Sequence, residues 1–256
     1  MSRIPLRKWT LRLLRVAGAS LAILGAYAIL LCFPDPFFAN SVRAGNLSLH
    51  SDRPILEEAA RHVLQLSRAK LAASPLYLGE PEIGAYICNE HWRERLFFNK
   101  DYGVAGVAYP FSMKIFLRES AVQENRIVSR RGIHVPGYRT LDFFVTHEMT
   151  HALTSRAVGP IRMLGLPQWI REGYADYVAW GPGFNYADAR RAFLDGAPGM
   201  DYRQTGLYWR FAFLVAHMLD HKHWTVERLL TKPFPEQAEI ESEIRSNDPA
   251  NAEEKR

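Results

Sequence analysis

The hydrophobic and polar positions change period several times along this chain, and each change predicts an element. Val16 to Phe33 (VAGASLAILGAYAILLCF) holds 18 residues without a charge and stops at Pro34-Asp35-Pro36. As a helix rising about 1.5 Å per residue it spans about 27 Å, close to the hydrocarbon thickness of a bilayer. From Pro54 to Ala72, apolar Ile55, Ala59, Val63 and Leu66 alternate with charges at helical spacing, which predicts an amphipathic helix opened by a proline. Between Pro81 and Arg118 the runs shorten to Ile83–Ile87, Leu96–Phe98, Val104–Tyr109 and Lys114–Leu117, which read as strands of one sheet. Helical periodicity returns over Thr140–Arg156, Pro167–Trp180 and Leu207–His221, interrupted by Gly159-Pro160, Gly165-Leu166-Pro167 and Gly181-Pro182-Gly183. Sheet first and helices second predicts an α+β domain over about residues 40 to 235, and no internal repeat is visible. Glu236 to Arg256 carries seven acids, three bases and few large apolar side chains, so a frayed polar tail is expected there.

Charge changes the picture at the N-terminus. Arg3, Arg7, Lys8, Arg12 and Arg15 precede the apolar run with no acid among them. The remaining 27 basic side chains balance 27 acidic ones, so the net charge of +5 belongs to this tail and nucleic-acid binding by the body has no electrostatic support. Cations before an apolar span predict a single-pass anchor, residues 1–15 cytoplasmic, 16–33 in the membrane and the rest outside, most simply in a periplasm. The rival reading is secretion after signal cleavage. It lacks a small-x-small site, because Phe37-Phe38-Ala39 puts a bulky residue where a small one belongs, and Leu30-Leu31-Cys32 likewise lacks a small residue ahead of a lipidated cysteine. Cys32 and Cys88 are the only cysteines, so no disulfide staples the soluble part. Arg126 with Arg130-Arg131-Gly132 forms a basic loop, read as solvated.

The chemistry is concentrated in two stretches. In Thr146-His147-Glu148-Met149-Thr150-His151 the histidines stand four apart on a helix, so both rings leave one face and can bind one metal ion, with Glu148 beside them. A two-histidine zinc site needs a third protein ligand and an open position for water. Glu172, in Trp169-Ile170-Arg171-Glu172-Gly173-Tyr174-Ala175-Asp176-Tyr177, supplies a carboxylate from the next helix. Asp176 lies one helical turn further, where it can accept the free ring N–H of a ligating histidine or, alternatively, ligate itself.

HEMTH and WIREGYADY together resemble the gluzincin branch of the zincin metallopeptidases, the group with a WxxEGxA-type second motif. The resemblance implies zinc bound by His147, His151 and Glu172, Glu148 as general base, a zincin-like domain with a small, mostly antiparallel sheet, and a peptide or protein substrate along its edge strand. The related pattern with a third histidine six residues after the second is absent, since Ala157 stands there. Related enzymes often supply an oxyanion donor from a downstream helix; Tyr208 is the expected one here, with Tyr202 and His217 as alternatives. His221 and His223 flank Lys222 near a helix end and read as capping or solvated, and Trp169, Trp180, Trp209 and Trp224 as core. The expected protein is thus a membrane-anchored zinc metallopeptidase; the competing class is a non-catalytic envelope protein that keeps the fold for binding or scaffolding.

Overall fold

The computed structural model describes residues 6–79, 82–99, 104–128 and 139–247. The basic-loop residues 130–132 and the last nine residues of the expected polar tail lie outside these. The first helix, α1 (Leu6–Cys32), is long and apolar enough to cross a membrane or to be a signal sequence. A hairpin follows, β1 (Asn40–Ala44) and β2 (Leu47–Ser51), closed by Gly45 at φ +66° and Asn46, the residue types a two-residue turn needs. Helix α2 (Glu57–Leu71) has Glu57 and Glu58 in its first turn and Arg68 and Lys70 in its last, matching the helix dipole, and returns the chain to β3 (Ile83–Cys88). Then come α3 (His91–Phe98), β4 (Gly106–Ala108), β5 (Lys114–Arg118) and a small ribbon of β6 (Ser120–Ala121) and β7 (Arg126–Ile127).

The five-stranded sheet has the order β1-β2-β3-β5-β4. It is mixed, where a mostly antiparallel sheet was expected: β1 with β2 and β4 with β5 are antiparallel, whereas β2 with β3 and β3 with β5 are parallel. The cause is α2, which carries the chain back to the same end of the sheet between β2 and β3, and β4, which runs back from the C-terminal end (Gly106 opposite Leu117) before β5 begins. Leu96–Phe98, expected as a strand, is the last turn of α3. Its Phe97 and Phe98 are buried, and a short apolar run of this kind fits a buried helix end as well as a strand.

Both faces of the sheet are covered. Leu47, Leu49, Ile83, Ala85, Ile87, Ile115 and Leu117 point into the main core with α2 and the later helices. Tyr86, Cys88 and Phe116 point the other way, into a second cluster closed by Phe97 and Phe98 of α3, by Phe38, and by Leu31 from the end of α1. Leu31 is 1% exposed. The hydroxyl of Tyr27 donates to the carbonyl of Leu96 at 2.8 Å, and Ser112 Oγ donates to the carbonyl of Leu31 at 3.3 Å.

The helical part follows in order: α4 (Leu141–Val158), α5 (Pro160–Leu164), α6 (Gln168–Trp180), α7 (Tyr186–Leu194), α8 (Tyr202–Thr205), α9 (Trp209–Ala216), a π-turn (His217–His221), α10 (Val226–Leu229) and α11 (Gln237–Ser246). Of the expected tail, α11 is instead a helix docked through Ile240 and Ile244, with Arg210 paired to its Glu241. Two isoleucines four apart make one narrow apolar stripe in an acidic segment, and that stripe is enough to seat one helix face. Trp169 is buried in the main core, and Trp180, Trp209 and Trp224 pack against it.

Candidate metal centre

Helix α4 carries His147, Glu148 and His151, and its start is fixed before its chemistry begins. Asn125, at φ +51°, accepts the Asp142 backbone N–H through Oδ1 at 2.9 Å, while its own carbonyl accepts that of Leu141 at 2.9 Å. The buried Asp142 carboxylate receives Lys70 Nζ from α2 at 2.6 Å, Asn125 Nδ2 at 2.6 Å and the Thr140 hydroxyl at 2.5 Å. Burial alone would raise its pKa, but these donors outweigh burial and hold it below the ordinary carboxylate value.

Helix α6 lies against α4 and α9 because of what its motif omits. A Cβ on Gly173 would stand 2.5 Å from the carbonyl oxygen of Phe211, so only glycine allows the α6 and α9 backbones to approach this closely. Trp169 and Tyr174 anchor the same helix in the core, the Tyr174 hydroxyl sharing a 2.6 Å hydrogen bond with Ser74 Oγ after α2. With α6 so held, Glu172 and Asp176 face the two histidines.

The three expected ligand atoms converge. His147 Nε2 lies 3.1 Å from His151 Nε2 and 3.5 Å from Glu172 Oε2, and His151 Nε2 lies 3.3 Å from the same oxygen. Donor atoms at about 2.0–2.1 Å from a tetrahedral ion stand about 3.3–3.4 Å apart, so this triangle has the size a metal ion requires. Among the described residues this is the group able to hold a metal ion. Behind it, Asp176 Oδ1 lies 2.7 Å from His147 Nδ1, a contact in which Nδ1–H donates to the carboxylate and the ring turns Nε2 toward the triangle. Asp176 is therefore a positioning group at His147, and the contacts do not put it among the ligand atoms. Arg171 Nε donates to Glu172 Oε1 at 3.0 Å and so holds the oxygen that points away from the triangle.

Glu148 is buried beside the edge strand. A Cβ on Gly106 of β4 would come within 2.7 Å of Glu148 Cγ, so the strand passes the carboxylate without a side chain between them. Burial raises the pKa of Glu148, opposed by the two histidines. Glu172 goes the opposite way: burial is overcome by His151 and His147, which hold it far below the carboxylate range. For His147, burial is outweighed by Asp176 and Glu172, raising it to about 10. Three carboxylates around two imidazoles thus make a centre whose electrostatics favour a cation.

Tyr208, at the start of α9, stacks on His147 with ring centroids 6.3 Å apart. Burial, then Glu172 and Asp176, push its hydroxyl up to about 12, so it remains a donor at neutral pH. Tyr202 packs on Tyr208 and Phe211. His217 belongs elsewhere: it opens the π-turn after α9, where Nδ1 shares a 2.7 Å hydrogen bond with the Tyr186 hydroxyl, and His221 packs at a tilt against the same tyrosine. Gly106 and Arg171 went unseen in sequence. A lone glycine in a strand-like run signals close backbone approach, which was the available clue. No protein-family model matches this chain, and no curated protein does.

Proposed function

We propose that the protein is a membrane-anchored zinc metallopeptidase of the gluzincin type, its domain zincin-like and outside the cytoplasmic membrane. The observation that carries this reading is the ligand triangle of His147, His151 and Glu172 with Asp176 behind it and Glu148 against an edge strand. A zinc ion held there would supply a Lewis acid that polarises a peptide carbonyl and lowers the pKa of water. The rest falls to the chain's own groups. The carboxylate of Glu148 takes the proton of the attacking water and passes it to the departing amine nitrogen. Its burial raises its proton affinity in the direction this transfer needs. The Tyr208 hydroxyl, kept protonated, is the candidate donor to the developing oxyanion. The outer edge of β4, which pairs only with β5 among the described residues, offers backbone groups to an extended peptide beside Glu148.

The seating of Leu31 and Phe38 in the second cluster favours an uncleaved anchor over a removed signal peptide, since cleavage near residue 39 would strip both from it. Metal analysis of the purified full chain tests the whole reading. About one zinc per chain is expected, with Glu148→Gln keeping the metal and losing peptide hydrolysis by several orders of magnitude. His147→Ala, His151→Ala or Glu172→Ala should lose the metal itself. A chain holding less than about 0.2 zinc after metal-replete purification would point instead to a non-catalytic binding module.

A further inference from the structure

Of the seven exposed large apolar side chains after residue 40 among the described residues, Leu78, Phe111, Ile161 and Leu164 gather at one end of the sheet, while Leu56, Trp92 and Val104 lie toward the other. Strands β2, β3 and β5 are parallel, so the sheet has a common N-terminal end. Leu78 lies in the segment leading into β3, and Phe111 in the turn leading into β5. Helix α4 reaches the same end, because Ser155 Oγ donates to the carbonyl of Pro110, and α5 follows directly. There Ile161 is 89% exposed, Leu78 84%, Leu164 67% and Phe111 50%. Ile161 and Leu164 are three apart and share one face of α5, while Met163 is buried.

Helix α1 meets the domain at this end too. Ser112, next to Phe111, holds the carbonyl of Leu31, and Tyr27 holds the end of α3. Every described side chain from Arg12 to Ala26 is exposed, and contact with the domain begins at Tyr27. The exposed uncharged part of the helix, Val16 to Ala26, measures only about 16 Å, so even with Arg12 and Arg15 reaching back to the headgroups no stalk is left between bilayer and domain. Charge agrees with the apolar pattern. No Asp or Glu occurs between Glu148 and Glu172, while Arg156 and Arg162 are exposed on either side of the α4–α5 junction.

We infer that the globular part rests directly on the bilayer through Leu78, Phe111, Ile161 and Leu164, so that the metal centre acts on chain segments close to the membrane surface. His151 stands one helical turn, about 6 Å, from Ser155, which puts the ligand triangle just above that face. The substrate clause rests on the peptidase reading; the lipid contact does not.

The test uses the full chain in liposomes of phosphatidylcholine and phosphatidylglycerol. A photo-crosslinking amino acid replaces Ile161 or, as control, Leu56, which is exposed after the C-terminal end of β2 and hence at the far end of the sheet. Lipid adducts at position 161 about tenfold above position 56 are expected. Equal yields, or none at 161, overturn the inference even if the protein hydrolyses peptides. In the second arm, Ile161→Ser with Leu164→Ser should cleave a short soluble peptide in detergent within about twofold of the parent, yet cleave a lipid-anchored peptide in liposomes at least about fivefold more slowly. Undiminished cleavage of the anchored peptide overturns the substrate class. Lipid adducts at 161 from a protein that cleaves neither peptide would support the membrane contact and remove the peptidase reading alone.

Discussion

Asp176 acts on the metal centre only through His147, and that makes it separable from the ligands. Asp176→Asn should leave zinc bound but about 10–100-fold weaker, because an amide can still meet the ring but no longer fixes the tautomer as a carboxylate does; competitive chelation measures it, and unchanged affinity would show that the 2.7 Å contact has no influence on the metal. Gly173 is a second position where one atom decides. Gly173→Ala should destabilise the fold by about 1–3 kcal/mol in urea titration, since the added methyl meets the Phe211 carbonyl, which cannot yield without moving α9. At this scale the sequence was informative where chemistry and spacing coincide. HEMTH and WIREGYADY name residues that meet in space, because helical periodicity turns a spacing of four into one face. Gly106 and Asp142 were illegible for the converse reason, as they matter through Glu148 and Lys70 far along the chain, and Arg171 because its place beside Glu172 does not say which carboxylate oxygen it holds.

Helices α2 and α4 are joined by an ion pair between the buried Asp142 and the half-buried Lys70, and the pH dependence of stability should report on it. Asp142 has its folded pKa below the unfolded value, so its contribution is fully present above about pH 4 and is lost as pH falls through the folded value. Asp142→Asn should therefore cost stability at neutral pH, about 1.5–3 kcal/mol for losing a hydrogen-bonded charge beside the half-buried Lys70, and flatten the acid limb below about pH 4. Parallel acid limbs for variant and parent in urea titrations from pH 2 to 7 would refute this account. Long helices with regular stripes, such as α2, α4 and α6, were readable within a few residues at their ends. The hairpin β1–β2 was missed because NSVRAGNLSLHS mixes polar and small residues on both faces, and its core side is defined only once α2 packs on it. Helix α11 was missed because its acidic composition hid a two-residue stripe.

For the whole molecule, the second cluster makes the end of the N-terminal helix part of the fold. A chain starting at residue 40 loses Leu31 and Phe38 from that cluster, each worth about 1.5–3 kcal/mol when buried, whereas one starting at residue 26 keeps them. The shorter chain should show a clearly lower urea midpoint; identical midpoints would mean that α1 is only an appendage. Composition announced a span, but it could not announce that the last turns of that span belong to a globular core, since lipid and core both select apolar side chains. The same seating sets an order of events in biosynthesis. The aromatic face of Tyr86, Phe97 and Phe116 stays open to water until the end of the leading helix has swung against the sheet. On the anchored reading proposed above, maturation of the domain would wait on membrane integration, and a chain that failed to integrate would keep a sticky aromatic flag on display.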